Sequence, residues 1–241
     1  MSEPLLLVGY GRMGRLVEPL AGEFGMHVAG VVDRAAAARP DAWPAADVAI
    51  DFSIREAVPR TLAMLAARGT NVVIGTTGWQ DHEPALRAAV ERAGIGVVAA
   101  ANFSIGVNLF TAMVEQAASL MVAYPAFGAY LHELHHAAKR DAPSGTALAL
   151  HAAMTARGYD LPVNVASTRA GSIPGTHTVG FDAPAETITL THTARDRTGF
   201  ARGALEAARW VRGKRGWFTM RDVLRLSSPE PRAPSPERSN A

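Results

Sequence analysis

Through the first hundred residues, short apolar and β-branched runs alternate with longer stretches of helical spacing. The runs are LLLVG at 5–9, HVAGVVD at 27–33, DVAIDFS at 47–53, NVVIGTTG at 71–78 and GVVAAANFS at 96–104. This alternation predicts a parallel sheet with crossover helices. Between the runs, Met13, Leu16, Val17 and Leu20 fall on one helical face, as do Val58, Leu62 and Leu65 ahead of a stop at Gly69. Pro19 sits well inside the first of these patterns, so that helix is expected to kink or to end early.

Beyond residue 104 the pattern changes. One long helical run, VNLFTAMVEQAASLMVAY, leads to a strand-like AYLHELHH, a loop, a helix through ALALHAAMTARG, and then strands that read as antiparallel. Among them ETITLTHTA at 186–194 alternates apolar and polar positions, which predicts a half-buried strand with one face on a core. A last helix is expected over TGFARGALEAARWVRG, with Gly213 as its stop. The final fifteen residues hold four prolines and no apolar periodicity, the pattern of a disordered tail. The overall expectation is an α/β chain: a Rossmann-type domain on a parallel sheet plus an α+β domain with a mixed sheet.

Composition narrows the function classes. The 241 residues are 48% hydrophobic and 19% charged, ordinary for a globular enzyme. Lys plus Arg exceed Asp plus Glu by two, 24 against 22, without a single-sign block, so a nucleic-acid partner has no electrostatic footprint. A small-molecule partner is expected. The absence of cysteine excludes disulfides, thiolate zinc sites and a cysteine nucleophile, and fits a reducing compartment. The opening LLLV run is too short for a signal-peptide core or a membrane span, and the protein is expected to be cytoplasmic, with no membrane partner.

Two stretches carry candidate chemistry. VGYGRMG follows the first predicted strand and opens the first predicted helix, placing Gly9, Gly11 and Gly14 in G-x-G-x-x-G spacing. Glycines there permit a tight turn, close approach of backbone to a pyrophosphate, and close packing of helix on strand. Asp33 ends the second strand 19 residues after Gly14, where an acidic side chain can accept hydrogen bonds from ribose hydroxyls. Asp33 repels a 2′-phosphate whereas Arg12 and Arg34 can pair with one, so the pattern permits NADH and NADPH, with NADH slightly preferred. Two further loops, GTTG at 75–78 and ANFS at 101–104, follow strand ends on the same sheet edge.

The second stretch is ELHHAAKRDAPSGTA at 133–147. On a strand, His135 and His136 point to opposite sides, and Lys139 comes from the loop beyond. Ser144 is a candidate helix cap, leaving the Gly145 and Thr146 N–H groups in an unpaired first turn that suits a carboxylate. Lysine, imidazole and backbone donors together describe a site for an anionic substrate that also needs a proton. His132, His135 and His136 have spacings that suggest a metal site, but no carboxylate or cysteine partner stands nearby in a recognisable pattern, and on a strand the three do not converge. No metal is expected.

These motifs, with GRMG, DFS, VIGTTG, AANFSIGVN, RAGSIPGTHTVGF and FTMRDVL, resemble the 4-hydroxy-tetrahydrodipicolinate reductase (dihydrodipicolinate reductase) family over nearly the whole chain up to about residue 226. The resemblance implies a dinucleotide-binding domain of residues 1–106 with 198–241 (227–241 being the tail), a substrate-binding and oligomerisation domain of 107–197, and a homotetramer. It implies His135 as acid/base residue, Lys139 as proton donor, His136 as a substrate contact, Gly145 and Thr146 as carboxylate binders, and Arg197 near the substrate cleft. Cofactor contacts are implied at Gly9, Tyr10, Gly11, Arg12, Met13, Gly14, Asp33, Arg34, Gly75, Thr76, Thr77, Ala101, Asn102, Phe103 and Ser104. The implied reaction uses NADH or NADPH to reduce a cyclic imine dicarboxylate in lysine and diaminopimelate biosynthesis. The glycine loop is one residue shorter than in many members, and the span from Asp33 to Asp51 is brief. Two alternatives stand beside this: an amino-acid dehydrogenase of similar fold, and a non-catalytic NAD(P)-sensing protein.

Overall fold

Parallel strands buried on both faces need near-continuous apolar runs, and the five predicted runs supply them. In the computed structural model, which describes residues 2–226, they become β1 (Glu3–Val8), β2 (Met26–Val32), β3 (Val48–Asp51), β4 (Asn71–Ile74) and β5 (Gly96–Ala99). The expected tail at 227–241 lies outside the described residues. The chain divides into two compact units, one of 1–108 with 196–226 and the other of 109–195.

In the first unit all six strands run parallel in the order β10-β5-β4-β3-β1-β2, the last to be added in sequence being β10 (Gly216–Phe218) beside β5. One face packs Leu5, Leu7 and Ile50 against α6 (Thr198–Val211), whose Ala201, Ala204, Leu205 and Ala208 are fully buried. The other packs Leu6, Val8 and Ala49 against Val58, Leu62 and Leu65 of α2 (Val58–Ala67) and Leu86 and Val90 of α3 (Glu83–Ala93). The strand order turns at β1: the chain goes to β2 on one side and returns to β3 on the other. That switch point opens a crevice at the carboxyl ends of β1 and β3. The first helix, α1 (Gly14–Val17), is a single turn; Pro19 sits at the start of a 3₁₀ stretch over Glu18–Phe24. The early end predicted from Pro19 is what the chain adopts.

The second unit holds a four-stranded mixed sheet, β7-β6-β8-β9. Its strands are β6 (Gly128–His135), β7 (Val163–Arg169), β8 (Thr176–Ala183) and β9 (Glu186–Thr193). The expected mixed sheet is found: β8 and β9 are antiparallel, as their pattern suggested, while β7 pairs parallel to β6 through the crossover helix α5 (Gly145–Ala156). Phe110, Val114 and Ala118 of α4 (Ile105–Met121) join Leu150 and Met154 of α5 over Leu131, Val179 and Phe181. This cover is centred on β6 and β8. The edge strand β9 reaches it through Leu190 and through His192, whose ring lies 5.8 Å from that of Phe110, so the half-burial predicted from its alternation holds for its second half, while Ile188 is 42% exposed. The short helix α7 (Met220–Val223) closes the described chain.

Candidate functional site

Gly9 follows β1 with φ of +84°, a conformation that favours glycine, and a Cβ there would lie 2.5 Å from the Phe52 carbonyl oxygen. A Cβ on Gly14 would run into the Gly9 carbonyl, so these two glycines close the turn onto the neighbouring strand end. Gly11 differs from both: no heavy atom lies within 4 Å of its Cβ position. That open space, beside exposed backbone at the head of α1, fits the close approach of a pyrophosphate. A cavity of about 520 Å³ opens there, lined by Gly11, Arg12 and Met13, by residues 52–56, by Gly75, Thr76 and Thr77, and by Arg197. A larger cavity, about 670 Å³, lies near Pro4, Asp47 and Asn71 at the amino ends of the strands. Ligands of parallel sheets gather at the carboxyl ends, which makes the smaller cavity the nucleotide candidate.

The walls of that cavity are tied together by Asp51 at the end of β3. Its carboxylate is 1% exposed and accepts the Ser53 N–H at 2.8 Å and the Thr76 hydroxyl at 3.1 Å. Burial pushes the Asp51 carboxyl up, against those hydrogen bonds. The other predicted cofactor positions are arranged less uniformly. Asp33 and Arg34 are exposed beyond β2, and Asp33 accepts the Ala36 N–H at 2.8 Å, which fixes its carboxylate at the strand end. Tyr10 hydrogen-bonds Glu18 on the adjoining 3₁₀ turn. Of the 101–104 loop, Ala101 is exposed, whereas the Phe103 side chain is buried against the core and edge-on to Phe52 at 6.2 Å. Asn102 accepts the Ser104 N–H at 2.9 Å, and Ser104 accepts that of Val107 at 3.3 Å, holding the entry to α4. The side chains of Phe103, Asn102 and Ser104 thus do structural work at this turn. The sequence reading missed Ile54, Arg55 and Glu56; their signal was their place directly after β3, at the switch point.

The second unit builds a different kind of site. Alternation along β6 puts Ala129, Leu131, Glu133 and His135 on its buried face. Glu133 is fully buried, accepts Arg169 Nη2 at 2.6 Å and the Ser144 N–H at 3.3 Å, and meets His135 Nδ1 with its other oxygen. Burial pushes the Glu133 carboxyl up, but the hydrogen bonds from Arg169 and Ser167 and the charges of His135 and Arg169 outweigh it and bring it down to about 2. His135 is lowered below its usual range by burial, with Lys139 and Arg169 adding to the effect and Glu133 opposing it. On β8, His177 lies edge-on to His135 at 5.1 Å, its Nε2 3.2 Å from the Ser144 hydroxyl. Burial, then His135, lowers it to about 4.

The strand ends at His135, so His136 heads the following loop, its carbonyl accepting the Lys139 N–H at 3.0 Å. Lys139 pairs with Asp141 at 2.7 and 2.9 Å. Ser144 is the cap predicted for α5, its hydroxyl accepting the Ala147 N–H at 3.2 Å, with Gly145 and Thr146 in the first turn. The Asp141 carboxyl is lowered first by Lys139 and also by the Gly145 N–H, so one carboxylate already draws on both predicted anion-binding groups. Arg197 belongs to the first unit, on the wall of the nucleotide cavity. Glu133, His135 and His177 bring ligand atoms within 4.8 Å of one another, a convergence the histidine spacing alone did not reveal. The Arg169 guanidinium on Glu133 occupies the charge that a cation would need.

A switch-point crevice with a glycine turn, on a doubly covered parallel sheet, defines the class of α/β folds shaped to hold a dinucleotide. Residues 4–103 match the family model for the dihydrodipicolinate reductase N-terminus and residues 106–224 that for its C-terminus. The chain is 33% identical over 231 residues to the 4-hydroxy-tetrahydrodipicolinate reductase of Christiangramia forsetii, covering 91% of this chain and 97% of that one. To the enzyme of the same name from Acidiphilium cryptum it is 40% identical over 242 residues, with 90% and 94% covered. The chain therefore belongs to the dihydrodipicolinate reductase family of pyridine-nucleotide-dependent oxidoreductases. Among solved structures, the dipicolinate-bound dihydrodipicolinate reductase from Paenisporosarcina sp. TG-14 superposes with a TM-score of 0.73 at 21% identity, covering 91% of this chain and 98% of that one. A probable dehydrogenase from Thermotoga maritima shares the fold with a TM-score of 0.58 at 8% identity. No helix among the described residues is long and apolar enough to cross a membrane.

Proposed function

We propose that this chain reduces 4-hydroxy-tetrahydrodipicolinate to tetrahydrodipicolinate and water, as a cytoplasmic step of lysine and diaminopimelate biosynthesis. The observation that carries this reading is the grouping, within one unit, of a buried His135, Lys139 and the first turn of α5, in a chain matched along its length by the reductase family. In this reading the first unit holds the nucleotide and the second holds the substrate.

Gly11, with Arg12, Met13 and residues 75–77, would hold the pyrophosphate and nicotinamide parts of the cofactor, and Asp33 the adenosine ribose. Bound, the reduced nicotinamide supplies a hydride. The backbone of Gly145 and Thr146 receives one substrate carboxylate, displacing Asp141 from the Gly145 N–H. His136 and Arg197 serve the remaining polar groups. Lys139, released from Asp141, delivers the proton to the carbon beside the one reduced, and His135 acts as acid/base at the ring. Atoms balance when the hydroxyl leaves as water together with a hydrogen of the neighbouring ring carbon, and one hydride and one proton then enter the unsaturated ring.

Both nicotinamides are accepted in this reading, NADH slightly better, because Asp33 opposes a 2′-phosphate that Arg34 attracts. The half-exposed apolar positions of β9, Ile188 foremost, support a homotetramer formed through the second sheet. Absorbance assays of NADH and NADPH oxidation, with substrate generated from pyruvate and aspartate semialdehyde by the preceding synthase, test the activity. Oxidation that requires the synthase product is expected; none in a protein that still binds NADH would reject the reading. Light scattering on the purified protein tests the tetramer.

A further inference from the structure

His135 lies on the buried face of β6 with both ring nitrogens in defined surroundings. Nδ1 meets Glu133. Nε2 looks toward Gly175, which packs close beside the ring with φ of +148°: a Cβ there would stand 3.1 Å from Nε2, so only glycine keeps that nitrogen from being covered by a side chain. Glu133 is itself held on more than one side. Strand register sets Arg169 of β7 opposite His135, and sets His177 of β8 opposite Glu133. Arg169 spends one Nη on Glu133 at 2.6 Å and on the Asp141 carbonyl at 2.7 Å, and the other on the Thr168 carbonyl at 2.9 Å. A fully buried carboxylate between a guanidinium and an imidazole stays ionised and acts only as acceptor. Its partner nitrogen must then carry a proton.

We infer that Glu133 is a positioning residue: it fixes His135 as the Nδ1–H tautomer, so that Nε2 presents its lone pair to the ligand, and through Arg169 it ties that ring to the loop carrying Lys139. The inference rests on the reading of His135 as the acid/base residue, and it explains why a charged residue occupies an inward position of a core strand. The charged and titratable groups facing the pair are Arg169 from β7, His177 from β8 with His192 of β9 beyond it, and Lys139 from the loop. The Ser144 hydroxyl, which accepts the Ala147 N–H, also hydrogen-bonds His177 Nε2 at 3.2 Å, which ties His177 to the cap of α5.

The experiment uses the full-length protein labelled with ¹⁵N-histidine, in wild type, Glu133→Gln and Glu133→Asp, with the His135 signals assigned by their loss in His135→Asn. In wild type at neutral pH, His135 is expected to show a protonated Nδ1 and an unprotonated Nε2. Glu133→Gln should mix the tautomers and lower kcat about 10- to 100-fold with little change in KM, since an outer partner of a working histidine is typically worth that much. Glu133→Asp, which keeps the charge, should restore part of both and serves as the test if the glutamine variant does not fold. In a His135→Ala background the Glu133 change should cost little more, because Glu133 acts through His135. An unchanged tautomer and unchanged kcat in the Glu133 variants would overturn the inference. A tautomer that shifts with Glu133 while His135→Ala keeps full turnover would uphold the positioning and overturn the acid/base assignment instead.

Discussion

At the carboxyl edge of the first sheet, the groups proposed to meet a ligand are mostly backbone: a glycine turn whose crowded positions close it onto Phe52 and whose open position, Gly11, leaves room above. In the second unit the proposed working groups are side chains, an imidazole held by the buried Glu133 and an ammonium paired with the exposed Asp141. The first kind of site depends on φ and on missing Cβ atoms; the second depends on charge being satisfied away from water. A backbone cradle therefore tolerates change in most of its side chains but not added carbon at Gly9. A buried charge network behaves in the opposite way, and isosteric changes of charge are what damage it.

The largest effect is expected from the side-chain site. His135→Ala should lower turnover by about 10² to 10⁴, the usual worth of a positioned acid/base group, while NADH affinity stays near wild type. Loss of NADH affinity in this variant would break the division between the two sites.

The next concerns acid stability. His177 titrates near 4 in the fold against an ordinary value of 6.5. Between those values the unfolded chain binds the proton and the folded one does not, so stability is full above pH 6.5 and falls as pH drops toward 4. The loss is on the order of 3 kcal/mol for a shift of that size. Denaturant titrations at pH 7 and pH 5 should show this, and His177→Asn should flatten the slope; an equal slope in both proteins would place the sensitivity elsewhere. Glu133, with its carboxyl near 2, is lowered relative to the unfolded chain, so its contribution is lost only as pH falls from the usual carboxylate range toward 2.

Gly9→Ala should cost roughly 1 to 3 kcal/mol of stability, from the left-handed φ and the contact with the Phe52 carbonyl, and should weaken NADH binding. Normal NADH binding in this variant would remove the backbone from the nucleotide site. The smallest effect is at the rim: Arg34→Ala should weaken NADPH roughly two- to fivefold and leave NADH unchanged, the worth of one exposed charge pair. Equal losses for both nucleotides would contradict the 2′-phosphate assignment.

The contrast also explains what was legible in the sequence. Gly9, Gly11, Gly14 and Asp33 are close in sequence because one βαβ unit brings them together, so spacing alone located them. The Ser144 cap was legible for the same reason, since capping is a matter of three or four residues. Arg169 and His177 come to Glu133 from β7 and β8, and only sheet register decides that they meet there. Glu133 was readable in principle: in AYLHELH the alternation that buries Leu131 also buries the glutamate two residues on, and a buried carboxylate demands partners. The polar and apolar alternation of β9 was read as half-burial, and at this edge strand the helices cover Leu190 and His192 but leave Ile188 open. Phe103 was read with its loop as a ligand contact, although its apolar ring belongs to the core.

Lys139 offers the most direct test, because it stands in the second unit as the proposed proton donor, and its partner Asp141 is exposed. NADH affinity and steady-state turnover should be measured together on wild type and Lys139→Ala, with synthase-generated substrate. An unchanged affinity with turnover lower by about 10² or more is expected of a proton donor separate from the nucleotide cradle. Near-full turnover, or a loss confined to NADH binding, would contradict the assignment of the chemistry to the side-chain site.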